Sequence, residues 1–136
     1  AIHNNVKNAL ENDGWNITAD PYRIRYKDAL LEADMKAEKL ILATRENHSV
    51  IIEVKSFLSQ SFIHEFIQAC GQYQAYAFLL DKSDQAEKVY MAVSLDVYES
   101  EFSRESIQVL RDHFKVHLLI IDIIQEAIVE WIEYKE

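Results

Sequence analysis

The stretch VIIEVKSF, residues 50–57, has the pattern of a buried β-strand that carries two charged residues. Side chains alternate along a strand, so Ile51, Glu53 and Lys55 are expected on one face, and the apolar residues between them on the other. Burying either charge alone costs free energy. A carboxylate beside an ammonium in such a strand therefore indicates either chemistry or an ordinary surface ion pair on an edge strand.

A second strand-like run precedes this one. EKLILATR (38–45) comes before SVIIEVKS (49–56), and ENH (46–48) between them is typical of a short hairpin loop. If the two strands pair antiparallel, the start of the first lies near the end of the second. This pairing would bring Asp34 towards Glu53.

Together, Asp34, Glu53 and Lys55 predict a site for phosphodiester hydrolysis. Two convergent carboxylates suit Mg²⁺ or Mn²⁺, because Mg²⁺ is a hard cation that takes oxygen ligands and keeps several waters. A metal-bound water could attack a phosphodiester while the metal stabilises the developing charge. The Lys55 ammonium could orient that water or neutralise the phosphate.

The rest of the chain alternates between helical and extended patterns. Helices are predicted at 2–12, 60–80 and 103–114 (the last capped by Ser103 or Ser106), and extended segments at 14–24 (with a turn at Asp20-Pro21), 88–95, 116–122 and 127–134. Residues 28–38 are expected to form a turn and short extended structure that leads to Asp34. Because helices lie between strands, an α/β fold with a central mixed sheet and helices on its faces is expected. The length of 136 residues suits one domain, 1–136.

The acidic charge limits the functions that this chain can have. Its formal net charge is −9, whereas sequence-independent DNA binding depends on Lys and Arg replacing counterions at phosphates. A general DNA coat protein is therefore disfavoured. A nuclease is not, because a bound metal ion changes the local charge. The composition implies a basic partner, a local basic edge, or no DNA binding by the isolated chain.

Cysteine content and hydropathy point to a cytoplasmic protein. The single cysteine, Cys70, cannot form an internal disulfide and is expected to pack in the core. No basic-then-apolar leader is seen, and no uninterrupted apolar run reaches about 18 residues. We therefore expect no membrane segment.

The pattern D-(x)n-E-x-K, formed by Asp34, Glu53 and Lys55, resembles the signature of the PD-(D/E)XK nucleases. Ala33 stands where that signature usually has Pro. The resemblance implies a restriction-endonuclease-like α-β-α fold in three layers, with the hairpin followed by a helix, as predicted at 60–80.

Two further positions are implied by this resemblance. Some members carry Q-x-x-x-Y on that helix, and Gln72 and Tyr76 match it. Together with Glu65 and Gln68, these two residues form a polar stripe, which is either a solvated face or a wall that faces the phosphate.

A glutamate on the first helix often joins the metal site in such proteins, and Glu11 is the candidate. The alternative for Glu11 is an ordinary exposed pair with Lys7, four residues earlier. Similarly, Glu38 is either an additional ligand or a charge at the start of a strand.

Longer stretches resemble the XisH family, small proteins named as controlling factors for excision of the fdxN DNA element. These stretches are VKNALENDGWNIT (6–18), ADMKAEKLI (33–41), IEVKSFLS (52–59), GQYQAY (71–76) and AVSLDVYES (92–100). The resemblance implies the restriction-endonuclease-like fold, a role in DNA excision, and a second small protein, XisI, as a partner.

The sequence leaves three hypotheses open. In the first, the chain is a magnesium-dependent deoxyribonuclease with the metal on Asp34, Glu53, Glu11 and the carbonyl of Val54, and with Lys55 acting on the attacking water. In the second, it is a non-catalytic accessory factor that docks on XisI or a recombinase through AIVEWIEY (127–134). In the third, which is compatible with both others, the C-terminal hairpin forms a homodimer.

Overall fold

The computed structural model describes residues 2–58, 60–83 and 87–134. Its helices are α1 (His3–Asn12), α2 (Phe62–Lys82), α3 (Leu95–Glu101) and α4 (Glu105–Phe114). Its strands are β1 (Asn16–Ala19), β2 (Tyr22–Tyr26), β3 (Ala29–Ala33), β4 (Met35–Ile41), β5 (Glu46–Val54), β6 (Lys88–Ser94), β7 (His117–Asp122) and β8 (Ala127–Ile132). Within the described ranges, no helix is both long and apolar enough to cross a membrane.

The strands form a six-stranded mixed sheet in the order β1-β4-β5-β6-β7-β8. The three central strands, β5, β6 and β7, are parallel, whereas β1, β4 and β8 run antiparallel to their neighbours. β2 and β3 form a separate hairpin that leads directly into β4. The predicted mixed sheet is confirmed.

Both faces of β5 are covered, which gives the sheet its three-layer arrangement. Ile51 packs in a buried cluster with Phe66 and Cys70 of α2, as expected for Cys70. Ile52 packs on the opposite face, in a cluster with Val6 and other residues of α1. The predicted alternation along this strand is confirmed.

Two predicted boundaries are wrong. The register pairs Ile41 with Glu46, so the hairpin loop is formed by residues 42–45 and not by 46–48. The helix expected from 103 begins at Glu105, and neither predicted serine caps it. Instead, the Ser103 Oγ donates to the Glu99 carbonyl at 3.1 Å, in the turn that follows the unpredicted helix α3.

Gly71, in the middle of α2, provides a test of helix packing. A Cβ added to Gly71 would meet nothing within 4 Å, so Gly71→Ala should raise the free energy of unfolding by about 1 kcal/mol through helix propensity alone. Gly14→Ala is the matched control and should lower the free energy of unfolding, because Gly14 has a φ of +90°. Urea denaturation measures both. A destabilised Gly71→Ala protein would mean that this helix face is not open.

Candidate functional site

Asp34 lies at the junction of β3 and β4, next to the end of β5. The β4–β5 register pairs Met35 with Ile52, so Asp34 falls beside the Glu53–Val54 segment. The Val54 backbone N–H donates to Asp34 Oδ2 at 2.6 Å. The structure thus brings Asp34 and Glu53 together, as the antiparallel hairpin implied.

Glu53 is a buried carboxylate with an unsatisfied oxygen. Its residue is 5% exposed, and Oε2 has no hydrogen-bond partner among the described residues. Burial is the main cause that raises the pKa of Glu53 from 4.5 to about 8, and Asp34 raises it further. Tyr76 and Lys55 act in the opposite direction. The fold therefore stabilises either a proton or a cation at this oxygen.

A chain of hydrogen bonds connects Lys55 to the helix that follows it. Lys55 Nζ donates to Gln72 Oε1 at 2.6 Å, and Gln72 Nε2 donates to the Tyr76 hydroxyl at 2.9 Å. That hydroxyl donates in turn to the Glu32 carbonyl at 2.7 Å. Tyr76 is only 2% exposed, so this part of the polar stripe on α2 is not a solvated face. Gln72 and Tyr76 instead position Lys55 relative to β3.

An open cleft of about 520 Å³ adjoins Lys55. Its lining residues lie at the end of β5 and on the first turns of α2: Lys55, Phe57, Glu65, Gln68, Ala69 and Gln72. Phe57 has a φ of 53°, so the backbone turns sharply just after the strand. The cleft offers one ammonium, two amide groups and the Glu65 carboxylate to a ligand, and neither Asp34 nor Glu53 is among its lining residues.

The structure does not bring Glu11 into this group. Glu11 is exposed and lies more than two turns beyond His3, about 12 Å along the axis of α1. His3 is the α1 residue next to the site, with Nδ1 3.6 Å from Asp34 Oδ1. Glu38 lies four residues along the strand from Asp34, about 13 Å away, and pairs with Lys36 at 4.0 Å.

Sequence analysis did not single out His3, because the spacing of the five histidines in the chain matches no metal-binding motif. The helical period does contain a signal: His3 shares the face of α1 that carries the buried Val6 and Leu10, and this face packs on the sheet. His3 Nε2 also lies 3.1 Å from both oxygens of Asp20. That hydrogen bond, together with Lys7, lowers the pKa of Asp20 below its ordinary value.

The donor set matches a hard divalent cation better than zinc. In the described ranges, no group of three or more His, Cys, Asp or Glu side chains could hold a metal ion. Mg²⁺ commonly uses one or two carboxylates and keeps several waters, whereas structural and catalytic zinc needs three or four protein ligands. Asp34, the unsatisfied Glu53 oxygen and the nearby Val54 carbonyl are suitable donors for Mg²⁺ or Mn²⁺.

Comparisons with known proteins agree over nearly the whole chain. Two crystal structures are similar to it: an XisH family protein from Nostoc punctiforme PCC 73102, with a TM-score of 0.87, and an fdxN element excision controlling factor protein from Anabaena variabilis, with a TM-score of 0.86. Each is 36% identical, and each match covers 97% of this chain and 98% of the other. No curated protein matches at a significant level. The family model described as XisH protein matches residues 1–129, and the chain therefore belongs to the XisH family.

Proposed function

We propose that this chain is a metal-dependent nuclease of the PD-(D/E)XK type that acts on DNA during excision of a DNA element. The observation that carries the proposal is the buried, unsatisfied Glu53 oxygen beside Asp34, with Lys55 two residues further along the chain from Glu53. The name of the similar Anabaena variabilis protein, an fdxN element excision controlling factor, supports the biological setting.

Each residue of the site has a role in this proposal. Asp34 and Glu53 hold the cation, with the Val54 carbonyl as a further oxygen donor. When bound, Mg²⁺ supplies a Lewis acid and an activated water at the scissile phosphodiester. Lys55, held by Gln72, places a positive charge at the mouth of the cleft, where it stabilises charge that develops on the phosphate.

The β2–β3 hairpin supplies the local basic edge that an acidic chain needs to contact DNA. Arg23 and Arg25 point to its exposed face, and Lys27 lies at its turn beside Asp28. Arg23 is paired with Glu32 at 3.3 Å, so Arg25 and Lys27 are the cations proposed for this contact. The Tyr76 hydroxyl bonds to the Glu32 carbonyl, so the hairpin is fixed relative to the site. Its strand β3 ends next to Asp34. The hairpin is therefore suited to contact phosphates that flank the cleaved bond.

Calorimetric titration of Mn²⁺ and a plasmid-nicking assay test the proposal. The wild-type protein should bind Mn²⁺ saturably and nick supercoiled DNA, whereas Glu53→Gln should lose both. Lys55→Ala should keep metal binding and lose about 100-fold or more in cleavage, because it removes only charge stabilisation. Glu46→Gln, on the exposed start of β5, is the matched control. A folded wild-type protein with neither metal binding nor cleavage would refute the proposal.

The pKa of Glu53 predicts a pH dependence of stability. Because the folded pKa of about 8 exceeds the ordinary 4.5, the stabilisation from protonated Glu53 is complete below about pH 4.5. This stabilisation is lost between about pH 4.5 and pH 8, at about 1.4 kcal/mol per pH unit, and the loss is complete above the folded pKa. Urea denaturation between pH 5 and pH 9 should show this slope in the wild type and not in Glu53→Gln. Saturating Mn²⁺ should flatten the slope of the wild-type protein. Identical curves for the wild type and Glu53→Gln would contradict the assignment of this slope to Glu53.

One observation favours the accessory-factor alternative, in which the chain docks on an XisI-like protein or a recombinase. β8 is an edge of the six-stranded sheet, and its Val129 is 48% exposed. Ile124, in the turn before β8, is 86% exposed. An exposed apolar edge strand is a template for pairing with another chain. The same edge would serve a homodimer.

Co-purification with an XisI-like protein, and light scattering of the chain alone, test this second function. Val129→Lys should weaken either assembly by placing a charge on the docking edge. Val109→Lys is the matched control, because Val109 is 62% exposed on α4, away from that edge. A complex that persists in Val129→Lys, or no complex with the wild type, would exclude β8 as the docking edge.

A further inference from the structure

We propose that His3 is a positioning residue for Asp34, and that Asp20 anchors its imidazole. This inference rests on the proposed metal site. It assigns a role to the first residue of α1, the helix on which Glu11 was expected to contribute a ligand. It also brings the turn between β1 and β2 into the site through Asp20.

The geometry holds the Asp34 carboxylate at both oxygens. The Val54 N–H donates to Oδ2 at 2.6 Å, and His3 Nδ1 lies 3.6 Å from Oδ1. The first contact comes from the backbone of β5, and the second from a side chain of α1. The contact with Val54 is a hydrogen bond, whereas the contact with His3 is a longer ion-pair contact that an imidazolium would make. The two contacts restrict the rotation of the carboxylate from separate elements.

Asp20 fixes the orientation of the imidazole. His3 Nε2 is the ring nitrogen that faces away from Asp34. It lies 3.1 Å from both Asp20 oxygens, so the Asp20 carboxylate contacts this nitrogen through both of its oxygens. Lys7 Nζ, one turn along α1, lies 3.3 Å from Asp20 Oδ2 and holds that carboxylate in place. The contacts run from Lys7 through Asp20 and His3 to Asp34.

Core packing does not explain this arrangement. The His3 and Asp34 side chains are 33% and 32% exposed. Ion pairs with this exposure contribute about 0–1 kcal/mol to stability. In metal sites, by contrast, hydrogen-bonded partners of a ligand orient it, and their loss commonly costs about 10–100-fold in metal affinity. His3 has the place of such a partner, with a hydrogen-bonding distance to Asp20 and an ion-pair contact of 3.6 Å to Asp34.

Mn²⁺ affinity measured by calorimetry at fixed pH tests the proposal. His3→Ala and Asp20→Asn should each weaken Mn²⁺ binding by about tenfold or more. Because Asp20 acts through His3, the double variant should bind no more weakly than His3→Ala alone. The thermal midpoint of the metal-free protein should stay unchanged. His48→Ala is the matched control, because it removes an exposed imidazole 3.8 Å from Glu46.

The outcomes separate this inference from the proposed function. A wild-type protein that binds no Mn²⁺ would refute both. If His3→Ala binds Mn²⁺ with the affinity of the wild type, the positioning role alone is refuted. Nitrogen hyperfine coupling from His3 to bound Mn²⁺ would also refute it, since His3 would then be a ligand. If His3→Ala fails to fold, Asp20→Asn decides, because it removes the anchoring charge with almost no change of shape.

Discussion

The site depends on one constraint, the register between β4 and β5. Side chains alternate along a strand, so a slip of one residue would turn the whole strand over. A slip of β5 by one residue would leave isoleucine on both buried faces, but it would move Glu53 onto the apolar face covered by α1, where Ile52 now packs. The observed pairing of Met35 with Ile52 places Asp34 beside Glu53. The face on which the charge lies and the strand register thus set the separation of the two carboxylates.

Sequence reasoning could predict the features that depend only on local period and strand pairing. The two-residue period of VIIEVKSF assigned its faces, and an antiparallel hairpin was enough to place Asp34 at the end of β5. The residue opposite Asp34, however, depends on the position of the hairpin loop. A loop at 46–48 would pair Arg45 with Ser49, whereas the observed loop at 42–45 pairs Ile41 with Glu46 and thereby sets Asp34 opposite Glu53.

The features that could not be predicted depend on how the helices lie across the sheet. The helical period gives the face on which a residue lies, but not its height along the helix. The resemblance to PD-(D/E)XK nucleases favoured Glu11 as a metal ligand from α1. The helix instead packs so that its first residue, His3, lies beside Asp34. The polar stripe on α2 was ambiguous for the same reason: only the contact between Tyr76 and the Glu32 carbonyl of β3 identifies it as part of the site.

The energetics of Glu53 support the proposal that the site is kept for chemistry and not for stability. A carboxylate in the core, with one oxygen unsatisfied and a second carboxylate nearby, destabilises the folded state when it is ionised. An apolar residue at this position would pack between Ile51 and the turn after β5 without that cost. Natural sequences break local rules mainly where function requires it. In the proposed function, a cation held by Asp34 and Glu53 would remove both the unsatisfied oxygen and the repulsion, so one ligand would resolve this conflict between the sequence and its fold.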